Sequence, residues 1–261
     1  MRGVRRQIVA LGGGGFSMEA GNPLLDDYVL GLTRRERPRV CFLPSASGDA
    51  DHYIVRFYQA FSSERCEPSH VSLFRRGAGH DLREHLLAQD LIYVGGGSVV
   101  SLLGVWQAHG LDAVMREAWR AGVVLCGVSA GSLCWFAEGI TGFHGPAGRF
   151  RGLGLLGCSN TVHYEAEPRR EDAYRSALRN GMRPGYAAGD GAALHFVGER
   201  LLRAVSSRPG ARAFRMRCVR GRVIKTRLRV TYLGDAEPHA DTSPARLTAV
   251  PEPPPLTAAA G

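Results

Sequence analysis

Val123-Val124-Leu125-Cys126-Gly127-Val128-Ser129-Ala130-Gly131-Ser132 is the stretch on which the reading of the whole chain turns. It opens with an apolar run that does not alternate, as a strand covered on both faces should. The run breaks at Gly127, and a serine and a second glycine follow at intervals of two. A serine in a sharp strand-to-helix turn needs neighbours without bulk, and Gly127-x-Ser129-x-Gly131 supplies them. The Ser129 hydroxyl is therefore expected above the carboxyl edge of a sheet, where open α/β folds bind ligands. Leu133–Phe136 reads as the helix that follows, so the Ala130 amide and the helix start favour negative charge at that spot. The bland alternative is a turn that only packs a helix against a strand.

Working outward, the chain alternates short apolar runs with amphipathic segments, the pattern of βαβ units around a parallel sheet. Strands are expected at Gln7–Leu11, Val40–Leu43, Val71–Phe74, Leu91–Val94, Val123–Val128 and Gly185–Ala188. Ile54, Phe57, Tyr58 and Phe61 fall on one helical stripe, and Leu111, Val114, Met115, Ala118 and Trp119 on another. Leu201–Val205, Ala213–Cys218 and Arg222–Thr226 read as antiparallel strands joined by turns at Pro209–Gly210 and Gly221. The fold class is thus α/β: three layers, a mostly parallel central sheet flanked by helices, and a small antiparallel section near the C-terminus. One domain is expected over residues 1–234. From Asp235 to Gly261 the composition turns to proline, alanine and small polar residues, which reads as a disordered tail.

At 261 residues, 44% hydrophobic and 22% charged, with a mean hydropathy of −0.12, the composition is that of a soluble globular protein. No apolar run is long enough for a membrane span and no secretory signal opens the chain, so a cytoplasmic location is expected. Six scattered cysteines do not make a disulfide scaffold. The net charge of +9 invites a nucleic-acid reading. The cations are nearly all arginine, Lys225 being the sole lysine, and they are dispersed, whereas phosphate binding wants them clustered. Nucleic acid is therefore not expected as a partner.

Gly95-Gly96-Gly97-Ser98 lies between the Leu91–Val94 strand and helix-like Val99–Trp106. Glycines there let a backbone amide approach a ligand, making Gly97 a second oxyanion donor beside Ala130. A phosphate cradle is the competing reading; it lacks a Walker lysine and misses the dinucleotide spacing. Gly12–Gly15 is best read as a site of close packing. For a base to Ser129, His163 sits at a strand end in Thr161-Val162-His163-Tyr164-Glu165, with His144 its rival and His195 better placed against a neighbouring strand. No His, Cys or carboxylate spacing suits a metal. Glu165, Glu167, Glu171 and Asp172 read as a solvated helix start.

With those residues in hand, the chain resembles the peptidase E family, the S51 serine peptidases that include aspartyl dipeptidases and cyanophycinases. The resemblance runs from about Gln7 to Gly234. It rests on Ile8–Phe16, Phe42–Asp49, Tyr93–Ser98, Gly127–Thr141, His163–Glu167, Ala187–Phe196 and Ser206–Arg215. It implies a fold like class I glutamine amidotransferases, with serine in place of cysteine, and a cofactor-free hydrolase cleaving short peptides after an N-terminal aspartate. Its serine and histidine map onto Ser129 and His163, and its oxyanion donors onto Gly97 and Ala130. Two positions depart from the family pattern. Gly142 stands where a T-D-S aspartate serves as the acidic partner, and Ser98, at a position expected to contact substrate, replaces the asparagine of G-G-G-N. Glu138 is the preferred substitute acid, being nearer in sequence to the usual position, with Asp190 the alternative. Arg170, or else Arg169 or Arg208, would fork the carboxylate of the substrate aspartate. The expected partner is a small peptide substrate, with a homodimer admitted and no membrane. Two rivals stand beside this reading: a repurposed relative that binds a peptide or acidic ligand without turnover, favoured by Gly142, and an α/β-hydrolase esterase relying on His195.

Overall fold

The structure is a computed structural model and describes residues 5–74, 81–143 and 145–235. In chain order the elements are β1 (Gln7–Leu11), α1 (Leu24–Gly31), β2 (Arg39–Leu43), α2 (Asp51–Ala60), β3 (Glu67–His70), α3 (Leu82–Leu87) and β4 (Leu91–Val94). Then come α4 (Val99–Ala108), α5 (Leu111–Ala121), β5 (Val124–Val128), α6 (Ala130–Leu133), β6 (Phe136–Thr141), β7 (Gly148–Arg151) and β8 (Leu156–Thr161). The remainder is α7 (Pro168–Arg179), β9 (Gly185–Ala188), β10 (Ala192–Val197), β11 (Arg200–Ser206), β12 (Ala213–Val219), β13 (Arg222–Arg227) and β14 (Val230–Tyr232).

The expected layered α/β architecture is present, on an eight-stranded sheet ordered β14-β11-β10-β1-β5-β4-β2-β3. The run from β1 to β3 is parallel throughout, and β10 and β11 extend it antiparallel. Its central strands are fully buried, and successive residues serve opposite faces. Ile8, Ala10, Ile92, Val94 and Leu125 pack with Leu102, Trp106, Met115 and Trp119 of α4 and α5. Val9, Leu11, Leu91, Tyr93 and Val124 pack with Leu25 and Val29 of α1 and Tyr53 and Phe57 of α2. Helices on both faces explain why the strand sequences are apolar without alternation. Gly122, at φ +96°, ends α5 in the left-handed conformation that favours glycine and turns the chain into β5.

A second, six-stranded sheet, β13-β12-β9-β8-β6-β7, was not legible as a separate layer. Gly185–Ala188 forms the expected strand but belongs to this sheet, together with the antiparallel pair β12 and β13. Tyr174 and Leu178 of α7 cover it, packing with Tyr164, Met182, Phe214 and Met216. Two expectations are corrected. The edge strand is Glu67–His70 in place of Val71–Phe74, because the Asp49 carboxylate takes the Leu73 and Phe74 amides (2.5 and 2.8 Å) that a ladder would need. The helix expected over Leu133–Phe136 stops at Leu133, and Phe136 opens β6. Among the described residues no helix is long and apolar enough to cross a membrane. Residues 236–261, nearly all of the predicted tail, lie outside the described residues, as does His144.

Candidate active site

The carboxyl ends of β1, β5 and β4 lie side by side, because those strands are consecutive in the sheet. The loops Gly12–Gly15, Ser129–Ala130 and Gly95–Gly97 therefore converge on one edge. Ser129 stands between β5 and α6 at φ +55° and ψ −112°, a conformation that L-residues rarely adopt. Its flanking glycines are sterically required. A Cβ on Gly127 would lie 2.2 Å from the Gly131 carbonyl oxygen, and one on Gly131 would lie 2.2 Å from that of Val94. The Ser129 amide donates to Leu11 O (3.2 Å), and its carbonyl accepts from Ser132 and Leu133. The strained turn is thus held at both ends.

His163 follows β8, also at positive φ (+52°), and its amide donates to Gly12 O (3.1 Å). Its Nε2 lies 2.9 Å from Ser129 Oγ and its Nδ1 lies 2.5 Å from Asp190 Oδ1. Asp190 sits in the turn from β9 to β10, whose Gly191 amide donates to Gly13 O (3.0 Å). The glycine run after β1 makes this possible: a Cβ on Gly13 would lie 2.1 Å from Asp190 Oδ1 and 3.1 Å from His163 Cε1. Hydrogen bonding to His163 holds the Asp190 carboxyl below its usual range, overriding burial, with help from the charges of His163, Arg208 and Arg170. An ionised carboxylate only accepts, so His163 Nδ1–H donates to it and Nε2 is left to accept the Ser129 proton.

Glu138 is corrected as the partner of His163. It lies in the middle of β6, 5% exposed, where it accepts from Arg149 and from the Arg183 amide (2.7 Å). Burial alone would raise its carboxyl, but those donors hold it below the ordinary value. The elbow helix is too short to carry it toward the histidine. Asp190, the second choice from sequence, occupies that place.

A cleft of about 370 Å³ opens over this group, bounded by Gly97, Ser129, Ala130 and His163 on one side and by Gly142, Glu167 and Arg170 on the other. Gly97 has φ +137°, and a Cβ there would lie 2.1 Å from Ala46 O, so only glycine fits. Among the described residues no acceptor takes the Gly97 or Ala130 amide. Ser98, expected to touch substrate, is instead 3% exposed; its hydroxyl accepts from the Ser101 amide (3.1 Å) and caps α4. Arg170 lines the cleft, but its guanidinium already donates to Glu167 and to Val162 O. Arg208 pairs with Glu19, and Arg169 is exposed away from the cleft wall. His195 is buried in β10, where its Nδ1 meets the Tyr28 hydroxyl at 2.7 Å; burial pushes its pKa down to about 4. The glutamates that read as a solvated helix start are instead in ion pairs, Glu165 with Arg212, Glu167 with Arg170, and Glu171 with Arg175 and Lys225.

Residues 8–204 match the family profile of peptidase family S51. The chain belongs to that family. It is 49% identical over 230 residues to the uncharacterized peptidase YgaJ of Bacillus subtilis (strain 168), a match spanning 88% of this chain and the whole of that one. Among solved structures it is similar to a peptidase from an acI-B1 Actinobacterium, with a TM-score of 0.63 at 16% identity. That match covers 86% of this chain and 96% of the other. It is also similar to a putative peptidase E protein from Listeria monocytogenes EGD-e, with a TM-score of 0.55 at 18% identity, over 86% of this chain and all of the other. These two likenesses establish the shared α/β fold, and the family match places the chain in peptidase family S51.

Proposed function

We propose that the protein is a serine peptidase of short peptides in which Ser129, His163 and Asp190 act as one relay. The observation that carries this reading is the unbroken chain Ser129 Oγ to His163 Nε2 (2.9 Å) and His163 Nδ1 to Asp190 Oδ1 (2.5 Å) beside an open cleft. Ser129 Oγ attacks the scissile carbonyl carbon while its proton passes to His163 Nε2. Asp190 stabilises the imidazolium so formed and keeps the ring in the required tautomer. The carbonyl oxygen becomes an oxyanion, for which the Gly97 and Ala130 amides are the available donors. The tetrahedral species collapses, the C–N bond breaks, and the leaving amine takes the proton from Nε2. Water then repeats the sequence on the acyl-serine and returns the free hydroxyl.

Asp190 also meets the difficulty that Gly142 raised: the acid is supplied from the β9–β10 turn. The cleft is at the small end of the usual range for ligand sites, which suits a peptide of a few residues better than a folded substrate. The test is hydrolysis of a dipeptide and tripeptide panel by the purified protein and by Ser129→Ala. Serine-dependent release of amino acids supports the proposal. Saturable peptide binding with no turnover would instead identify a repurposed binder.

A further inference from the structure

The cleft contains one ion pair whose geometry is lopsided. Arg170 is almost wholly buried, its side chain 6% exposed, and every nitrogen of its guanidinium is engaged. Nε and Nη2 donate to Glu167 Oε2 (2.9 and 2.6 Å), and Nη1 donates to Val162 O (3.1 Å). Glu167, in contrast, is 48% exposed at its side chain. Both arginine bonds fall on its Oε2, and among the described residues nothing donates to Oε1. The Glu167 amide donates to His163 O (3.2 Å), so the pair is fixed to the turn that carries the base. On the same side of the cleft, a Cβ on Gly142 would lie 3.7 Å from both Arg170 Nη2 and Glu167 Oε2. The missing side chain at Gly142 leaves that approach open. Among the described residues, this pair and His163 are the titratable groups that line the cleft.

A cation meant to receive a substrate carboxylate keeps its fork vacant. Here the Nε–Nη2 edge of the fork is taken by Glu167 Oε2, and Glu167, which lines the cleft, keeps Oε1 without a donor among the described residues. We infer that Glu167 receives the α-ammonium of the substrate, so that the favoured substrates are short peptides with a free N-terminus and an uncharged first side chain. Resting on the peptidase reading, this inference reverses the preference for an N-terminal aspartate that the family resemblance implies. An aspartate side chain would meet a half-exposed like charge at a few ångströms, beside an Arg170 whose charge is already paired with that same Glu167. Even screened by solvent, such a repulsion discriminates by about tenfold. Arg170 then acts as a positioning residue that orients Glu167.

The experiment compares kcat/KM for Ala-Leu, Asp-Leu and N-acetyl-Ala-Leu with the wild-type chain and with Glu167→Gln. Wild type should cleave Ala-Leu about tenfold or more better than either other peptide. Glu167→Gln, which keeps shape but loses charge, should raise KM for Ala-Leu and narrow the gap to Asp-Leu, leaving kcat for Ala-Leu largely in place. A wild-type preference for Asp-Leu, or equal cleavage of the acetylated peptide, overturns the inference while leaving the peptidase reading intact, and neither result depends on the variant folding. A Glu167→Gln protein with unchanged ratios overturns the role of Glu167. Absence of any Ser129-dependent cleavage overturns both readings.

Discussion

Gly13→Ala tests the relay by moving its acid while leaving every catalytic atom in the chain. The new Cβ lands 2.1 Å from Asp190 Oδ1 and 3.0 Å from its Cγ. Non-bonded heavy atoms rest about 3.5 Å apart, so Oδ1 must retreat by more than about 1 Å. The bond to His163 Nδ1, now 2.5 Å, then passes beyond hydrogen-bond length. Misplacement on this scale costs about 10²-fold in turnover, and complete loss of the aspartate contact about 10⁴-fold. That range corresponds to roughly 2.7–5.4 kcal/mol in the barrier. Gly13 is outside the left-handed region, so alanine is tolerated by the backbone, and the atom it strikes is the end of a rotatable side chain. The fold should survive with its melting temperature nearly unchanged. The assay is steady-state peptide hydrolysis alongside thermal unfolding of the same preparation. A folded Gly13→Ala protein with wild-type kcat would refute the claim that Asp190 supports His163.

Other outcomes follow from single contacts. Asp190→Asn should lower kcat by about 10³–10⁴-fold, whereas Glu138→Gln should leave kcat unchanged and cost about 1–3 kcal/mol of stability through its buried contacts, read by denaturant titration. Asp26 is 2% exposed, and burial raises its pKa to about 7. Folding therefore favours its protonated form, and its contribution to stability falls as pH rises from about 4 to about 7. The melting-temperature difference between Asp26→Asn and wild type should accordingly grow in the variant's favour across that window; a constant difference would contradict this. Gly104, exposed within α4 with nothing near its missing Cβ, should accept alanine with a gain of about 0.5–1 kcal/mol, seen as a rise of about 1–4 °C in melting temperature at unchanged activity.

The parts legible in the sequence are those whose signals are local. Gly127-x-Ser129-x-Gly131 could be interpreted because the turn's steric demand falls on adjacent residues, and β1, β4 and β9 because buried strands are short unbroken apolar runs. Glu138 was misjudged for the converse reason. It was preferred for its nearness in sequence to the usual acid position, but nearness along the chain does not aim a side chain, and in β6 its carboxylate is taken by Arg149 and the Arg183 amide. Asp190 lies 27 positions from His163, and their meeting depends on β9 and β10 belonging to different sheets, which no local pattern specifies. Its flanking Gly189 and Gly191, at the end of an apolar strand, were the available signal. The Glu167–Arg170 pair was masked by acidic and basic residues that read equally well as a solvated helix face.

The most direct test of the account is labelling with a fluorophosphonate, which phosphonylates only an activated serine hydroxyl, followed by mass-spectrometric mapping of the adduct. The relay predicts a single adduct on Ser129, abolished in His163→Ala and strongly slowed in Asp190→Asn. Folded protein that stays unlabelled, or Ser129 labelled at the same rate without His163, would contradict it.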